Sequence, residues 1–219
     1  MKKKSLWKSL KNEYIGRAFS TFCGFLIIIL TLCIIAFIAS KGLNTFIKHE
    51  YSITEFLFKS SWNPDATPPK LGALVFIAGS TLVSLGAVMI AAPIGISLAI
   101  FMNYISPRLG SKVIQPAIEL FVGIPSVVYG WVGFSVLIPL LKSGFGGIGF
   151  SLIAGIIVLS IMIFPTITSI SADAVKVVPK TYVEGSYGLG ATRWQTISKV
   201  IIPSAKNGVL TGVVLGLAR

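Results

Sequence analysis

The sequence predicts an all-α fold, a polytopic transmembrane helical bundle, on three observations. Of its 219 residues 54% are hydrophobic and only 12% charged, with a mean hydropathy of +0.86, whereas soluble domains carry about one-quarter charged residues. Uncharged runs from Ala18 to Ser40, Leu71 to Pro107, Leu120 to Leu141 and Ser143 to Ala172 each equal or exceed the ~20 apolar residues that cross a bilayer as helix. The pattern lacks the alternating short strands of a barrel, so the backbone must satisfy its own hydrogen bonds within helices.

The first run follows Lys2, Lys3, Lys4, Lys8, Lys11 and Arg17. It is longer than the ~7–15 apolar residues of a signal-peptide core, which predicts a retained helix. Cys23 and Cys33 sit within it at apolar positions and read as buried thiols, with no disulfide and no metal site. Trp62-Asn63-Pro64 and Pro68-Pro69 punctuate a loop and mark a boundary. Residues 1–70 hold the basic N-terminus, the first helix and that loop, and residues 71–219 form the core.

The run from Leu71 to Pro107 is too long for one upright span, and Pro93 predicts a helix that is either tilted or broken near Ala92. A third span over 113–141 carries Gly123, Pro125, Gly130 and Gly133, a load that marks close packing or a local break supported by other helices. A fourth span is predicted over 148–170 and a fifth from Gly208. The apolar stretch from Gly208 to Ala218 covers roughly 17 Å, about half the hydrocarbon thickness. The expectation is a chain that stops in mid-membrane, as a fragment or a frame-shifted product of a longer protein. Gly208, Gly212 and Gly216 recur every fourth residue and predict a flat stripe for tight helix contact.

The formal net charge of +12 follows the loops. Basic residues crowd the N-terminus, the second loop (Arg108, Lys112) and the fourth (Lys176, Lys180, Arg193, Lys199, Lys206), while the segment from Lys41 to Lys70 is nearly balanced. The positive-inside rule then makes the N-terminus and the second and fourth loops cytoplasmic, and the first and third external.

The loop at 173–203 carries the most information. Thr181 with Glu184, and Thr192 with Gln195, each have the spacing of a capping box. Gly188 and Gly190 supply a stop and a sharp turn between them, and Tyr182, Val183, Tyr187, Trp194 and Ile197 give apolar faces. The product is a short helix–turn–helix, either a solvated connector or a docking surface whose aromatics a partner covers. Tethered between spans, it cannot reach a DNA duplex.

Other motifs lead to plainer readings. The G-x-G-x-x-G spelled by Gly144, Gly146 and Gly149 follows no strand and reads as a flexible turn. His49 stands without a second imidazole or a cysteine nearby, which leaves a surface histidine and no metal or catalytic residue. The sequence contains no phosphate-binding G-x-x-x-x-G-K-[ST], so any ATP must be hydrolysed by another polypeptide. Glu119 lies one to two turns from Lys112, within reach of the interface. Arg219 follows Leu215-Gly216-Leu217-Ala218. A guanidinium there costs roughly 2.5–3.5 kcal/mol on insertion scales, and reads either as snorkelling to an interface or as part of a polar pathway.

The run Glu184-Gly185-Ser186, then Gly190-Ala191 and Val200-Ile201-Ile202-Pro203, resembles the cytoplasmic EAA loop of ABC importer permeases. That pattern is E-A-A, a glycine and a later I/V-x-L-P; here Gly185 and Ser186 replace the alanines and Ile202 the leucine. Asp173-Ala174 and Val178-Pro179 match the approach to it. The run from Glu119 to Gly130 resembles the G-I-P-S-V-V-Y-G signature of phosphate-type permeases, with Gly123, Pro125, Ser126, Tyr129 and Gly130 as signature positions. The segment from Phe58 to Pro64 and the basic N-terminus are similar to the PstC type more than to its PstA partner.

The resemblance implies the type I ABC importer permease (MetI-like) fold, lacking its last part, working by alternating access. It assigns ATPase coupling to Glu184, Gly185, Ser186, Gly190, Ala191 and Pro203, with residues 180–189 inserted into a groove of the ATPase. It places Arg219 on the translocation pathway; the family's L-A-R continues into I-G-E-T, and the chain stops before that glutamate. The implied partners are a second permease subunit (PstA-like), an ATPase dimer (PstB-like), an external phosphate-binding protein (PstS-like) and membrane lipid, with no nucleic acid. No cofactor is bound by the chain itself, ATP being used by the partner ATPase, and the chain is not an enzyme by itself. Its implied place is the bacterial cytoplasmic membrane, multi-pass, with the N-terminus inside. The alternatives are a permease for another oxyanion, molybdate or sulfate, and a non-transporting scaffold or fragment.

Overall fold

The computed structural model describes residues 3–47 and 51–219, so that His49 lies outside the described residues. The chain divides into two compact units, residues 1–75 and 76–219. Among the described residues, five helices are long and apolar enough to cross a membrane, and the protein is a multi-pass membrane protein.

In the first unit, α1 (Lys3–Ile47) is one continuous helix whose segment Tyr14–Asn44 has the composition of a span. Phe25, Leu26, Ile27 and Ile28, four successive residues that go once around the helix, are all exposed, as in a helix whose solvent is lipid. This corrects the reading of the two cysteines as buried thiols. Cys23 is half-buried and Cys33 exposed, because acyl chains take the place of a protein core around this helix. The helix is followed by α2 (Ile53–Phe58) and by two short antiparallel strands, β1 (Trp62–Asn63) and β2 (Lys70–Leu71). The segment closes on itself: the Leu71 N–H donates to the Tyr51 hydroxyl at 3.0 Å, and the Gly72 N–H to the Ser61 carbonyl at 2.9 Å. A Cβ on Gly72 would collide with the Lys59 carbonyl, which makes glycine the residue that lets this closure form.

In the second unit, α3 (Leu74–Ile105) passes through Pro93 without interruption. The break near Ala92 does not occur. At about 48 Å the helix exceeds the bilayer core, which leaves the tilted alternative.

The single span expected over 113–141 is corrected. It is two helices, α4 (107–123) and α5 (Ser126–Gly144), separated where Ile124 and Pro125 are extended (ψ 127° and 140°). The G-x-G-x-x-G segment is a turn in which Gly146, Gly147 and Gly149 all have positive φ. Ser151 then caps α6 (Leu152–Lys176) by accepting from the Ala154 N–H at 3.2 Å.

The fifth span is also corrected. It begins at Arg193, not Gly208, and runs as α8 to Leu217, 25 residues and long enough to cross. Lys199, Lys206 and Asn207 lower the hydropathy of the helix as far as its middle, but it continues through them. Pro203 is accommodated because a π-type turn over Ile197–Ile201 precedes it, with the Ile202 N–H donating to the Ile197 carbonyl.

The inner layer is α6. The stripe of Gly208, Gly212 and Gly216 on α8 lies against it: added Cβ atoms would press on Ala174, on Ser171 Oγ at 3.2 Å and on Ile167 Cγ1 at 2.6 Å. From α3, Gly95 approaches the Thr168 hydroxyl in the same way, at 3.0 Å. Side chains from these helices form two apolar clusters. Ala87, Ala91, Met162, Ile163 and Ile167 make one, and Ile100, Val175, Val178, Ile197, Ile201, Ala205 and Val209 the other.

Candidate functional site

Two arrangements stand out, one in the loop after α6 and one at the break between α4 and α5. In the loop, α7 (Lys180–Gly188) starts behind Pro179, which is extended at φ −58° and ψ 130°. Pro suits that entry because its φ is fixed. The first capping box is therefore a correction: Thr181 is already inside the helix and no side chain caps its start. The second is present in full. The Thr192 hydroxyl accepts from the Gln195 N–H at 3.3 Å, and the Gln195 side chain accepts from the Thr192 N–H at 2.8 Å.

Between the helices Gly190 has φ +78° and its N–H donates to the Tyr187 carbonyl at 2.9 Å. A side chain with a Cβ rarely adopts that backbone. The Ala191 N–H closes the turn on the Ser186 carbonyl at 3.1 Å, and the hydroxyls of Ser186 and fully buried Thr196 lie 2.9 Å apart. Val183 packs on the cluster of Val175, Val178, Ile197 and Ile201, so one face of α7 is anchored. Away from Val183, Tyr182 and Glu184 on α7, Leu189 (91%) in the turn and Trp194 (71%) beyond it are exposed, and Tyr182, Gly185, Ser186, Leu189, Gln195 and Lys199 line a concavity of about 630 Å³ between α7 and the start of α8. Pro203 lies beyond the π-type turn in α8.

The second arrangement starts from Pro125. Lacking an N–H, it cannot donate to the Phe121 carbonyl as the next helical turn requires. The Tyr129 hydroxyl donates to that carbonyl at 2.9 Å, and the Ile124 N–H at 3.2 Å. The other loosened carbonyls receive Arg219. Its Nη2 donates to Val122 O at 2.5 Å and to Ile124 O at 3.3 Å, and its Nη1 to Thr166 Oγ1 at 2.6 Å. Non-helical backbone inside a membrane is tolerated where protein groups take up its hydrogen bonds in this manner.

Every one of these Arg219 acceptors is neutral. Among the described residues the ion pair is Lys59 with Glu55, on the first unit's loop. Thr166, Ser169, Asp173 and Lys176 recur on α6 at helical spacing, one above another. The last three line a cavity of about 230 Å³ together with Asn103, Ser111 and Gln115.

The structure thus places the signature residues Pro125, Ser126 and Tyr129 at the break, with Gly123 as the last residue of α4 and Gly130 one turn into α5. It brings Arg219 to them across 95 and 97 residues. The loop residues Glu184, Gly185, Ser186, Gly190 and Ala191 form a separate group. Glu119 is exposed and accepts from Gln115 Nε2 at 3.1 Å. Sequence reasoning missed Thr166 and the two carbonyls. The loss of the Phe121 carbonyl's ladder partner was legible in principle from Pro125, but nothing marks Thr166 among the hydroxyls of α6.

Residues 91–219 match the family described as binding-protein-dependent transport system inner membrane component. The chain is 53% identical over 211 residues to a probable ABC transporter permease protein, YqgH, of Bacillus subtilis (strain 168), covering 95% of this chain and 68% of that one. It is 38% and 34% identical over 184 residues to the phosphate transport system permease proteins PstC of Mesorhizobium japonicum and Pasteurella multocida. Those alignments cover 75% of this chain, which spans 56% and 57% of the two relatives' lengths. Among solved structures, an inward-facing MetNI methionine ABC transporter shares the fold, with a TM-score of 0.51 at 23% identity over 64% of each chain.

Proposed function

Because the chain belongs to the family of binding-protein-dependent transport inner-membrane components, we propose that it is the permease of an ATP-driven importer and that its cargo is phosphate. The observation that carries the cargo is Arg219, a permanent cation held at a helix break by two backbone carbonyls and a hydroxyl. An anion leaving water for a membrane pathway needs such a charge, and a planar fork of donors suits phosphate oxygens. The phosphate-system names of the PstC relatives support the same reading. The polar stripe from Thr166 to Lys176 supplies hydrogen-bonding groups along α6. Molybdate and sulfate would also satisfy an arginine, but no observation favours them.

In this reading α7 docks a separate ATPase dimer, with Glu184, Gly185, Ser186, Gly190 and Ala191 at the contact and Pro203 fixing the return into α8. A second permease subunit completes the pathway, and an external binding protein delivers the anion. The N-terminus and α7 face the cytoplasm.

The test is ATP-driven uptake by the complete transporter in proteoliposomes. Arg219→Gln is expected to abolish phosphate uptake while membrane insertion and ATPase association persist, and Arg219→Lys to retain part of it. Normal uptake by Arg219→Gln would remove the anion role of this residue. Stimulation of ATP hydrolysis by molybdate or sulfate in preference to phosphate would change the cargo.

A further inference from the structure

Of the three acceptors that hold the Arg219 guanidinium, Val122 O and Ile124 O are backbone and Thr166 Oγ1 is a side chain. The two carbonyls are free to accept because Pro125 breaks the helix, and both bond the same nitrogen, Nη2. Thr166 bonds the other, Nη1, from a different helix. The two bonds from Nη2 hold one end of the planar guanidinium at the break between α4 and α5, and the bond from Nη1 ties its other end to α6. Elsewhere on α6, Thr168 donates back to the Phe164 carbonyl at 2.8 Å and Ser160 to the Ile156 carbonyl at 2.6 Å, the ordinary use of a hydroxyl inside a helix. Thr166 instead accepts from a cation.

We propose that Thr166 is a positioning residue for anion recognition: it tethers the Arg219 guanidinium at the helix break to α6, so that the group is held between two helices. A neutral acceptor suits that task where a carboxylate does not, since it fixes the fork without cancelling its charge. A guanidinium carries more N–H donors than these three bonds use, and the remainder are left for oxyanion oxygens. The proposal rests on the reading of Arg219 as the anion contact.

The test measures equilibrium binding of inorganic phosphate to the purified complete permease complex, together with its thermal unfolding. Thr166→Val keeps the shape and removes the acceptor. It is expected to weaken phosphate binding about tenfold, with the unfolding temperature lowered by no more than the loss of one hydrogen bond explains. Thr166→Ser is expected to restore binding, which a packing role would not predict. Wild-type binding by Thr166→Val overturns the proposal, and so does a lowered unfolding temperature without weaker binding. Arg219→Gln separates the two levels. If it binds phosphate normally, the underlying reading fails; if it loses binding while Thr166→Val does not, only the role of Thr166 fails.

Discussion

Pro125 has no N–H to give the Phe121 carbonyl, and Tyr129, one helical turn beyond it, supplies a hydroxyl proton in its place. The same carbonyl also accepts from the Ile124 N–H, so deleting the phenol leaves a weakened group and not an orphan. Tyr129→Phe is therefore expected to cost about 1 kcal/mol, the ordinary weight of a hydrogen bond. Denaturant or thermal unfolding in detergent measures it, and a loss several times larger would mean that the hydroxyl does more than cap this carbonyl. Gly190 makes a second residue-scale case. Gly190→Val places a β-branched side chain at φ +78°, a strain of more than about 1 kcal/mol, and co-purification with the ATPase is expected to fall. Undiminished association and transport would show that the turn is not part of the contact.

At the scale of elements, the paired helices α4 and α5 depend on a missing proton that mutation can restore. Pro125→Ala returns the N–H, lets the ladder close toward Phe121, and removes the reason for the Val122 and Ile124 carbonyls to face a guanidinium. Phosphate uptake is expected to be lost with expression retained, and normal uptake would mean that the break is incidental. The stripe on α8 gives a steric prediction. Gly208→Val drives side-chain atoms into Ala174, an overpacking cost of about 1–3 kcal/mol to be read as a lower unfolding temperature.

Much of this scale was legible in the sequence. The glycine stripe announced a close helix contact, Gly190 a left-handed turn and Thr192 with Gln195 a capping box. What failed did so for local reasons. Hydropathy placed the start of α8 at Gly208 because Lys199, Lys206 and Asn207 hide a continuous helix. The Thr181–Glu184 spacing matched a cap that Pro179 pre-empts. The contacts of Arg219 with Val122, Ile124 and Thr166 join three distant segments, and no spacing rule reaches that far.

For the whole molecule, composition and run length were enough to identify a multi-pass helical membrane protein, since they need only the ~30 Å of hydrocarbon that each helix must cross. Orientation rests on loop charge alone. After removal of Cys23 and Cys33, a thiol at Asn63 is expected to react with an impermeant reagent in intact cells, and one at Lys180 only after lysis. The reverse pattern would invert the topology and place α7 away from the nucleotide.

The clasp at the helix break also fixes an order of events during synthesis. Arg219 is added 97 residues after Val122 and 95 after Ile124, which at ~5–20 residues per second is a delay of about 5–20 s. Through that interval the third crossing exists without its guanidinium, and its loosened carbonyls must be met by water or by the insertion machinery. The first crossings can commit to lipid as they emerge, whereas the broken one can take its final place only when the helix bearing Arg219 arrives beside it.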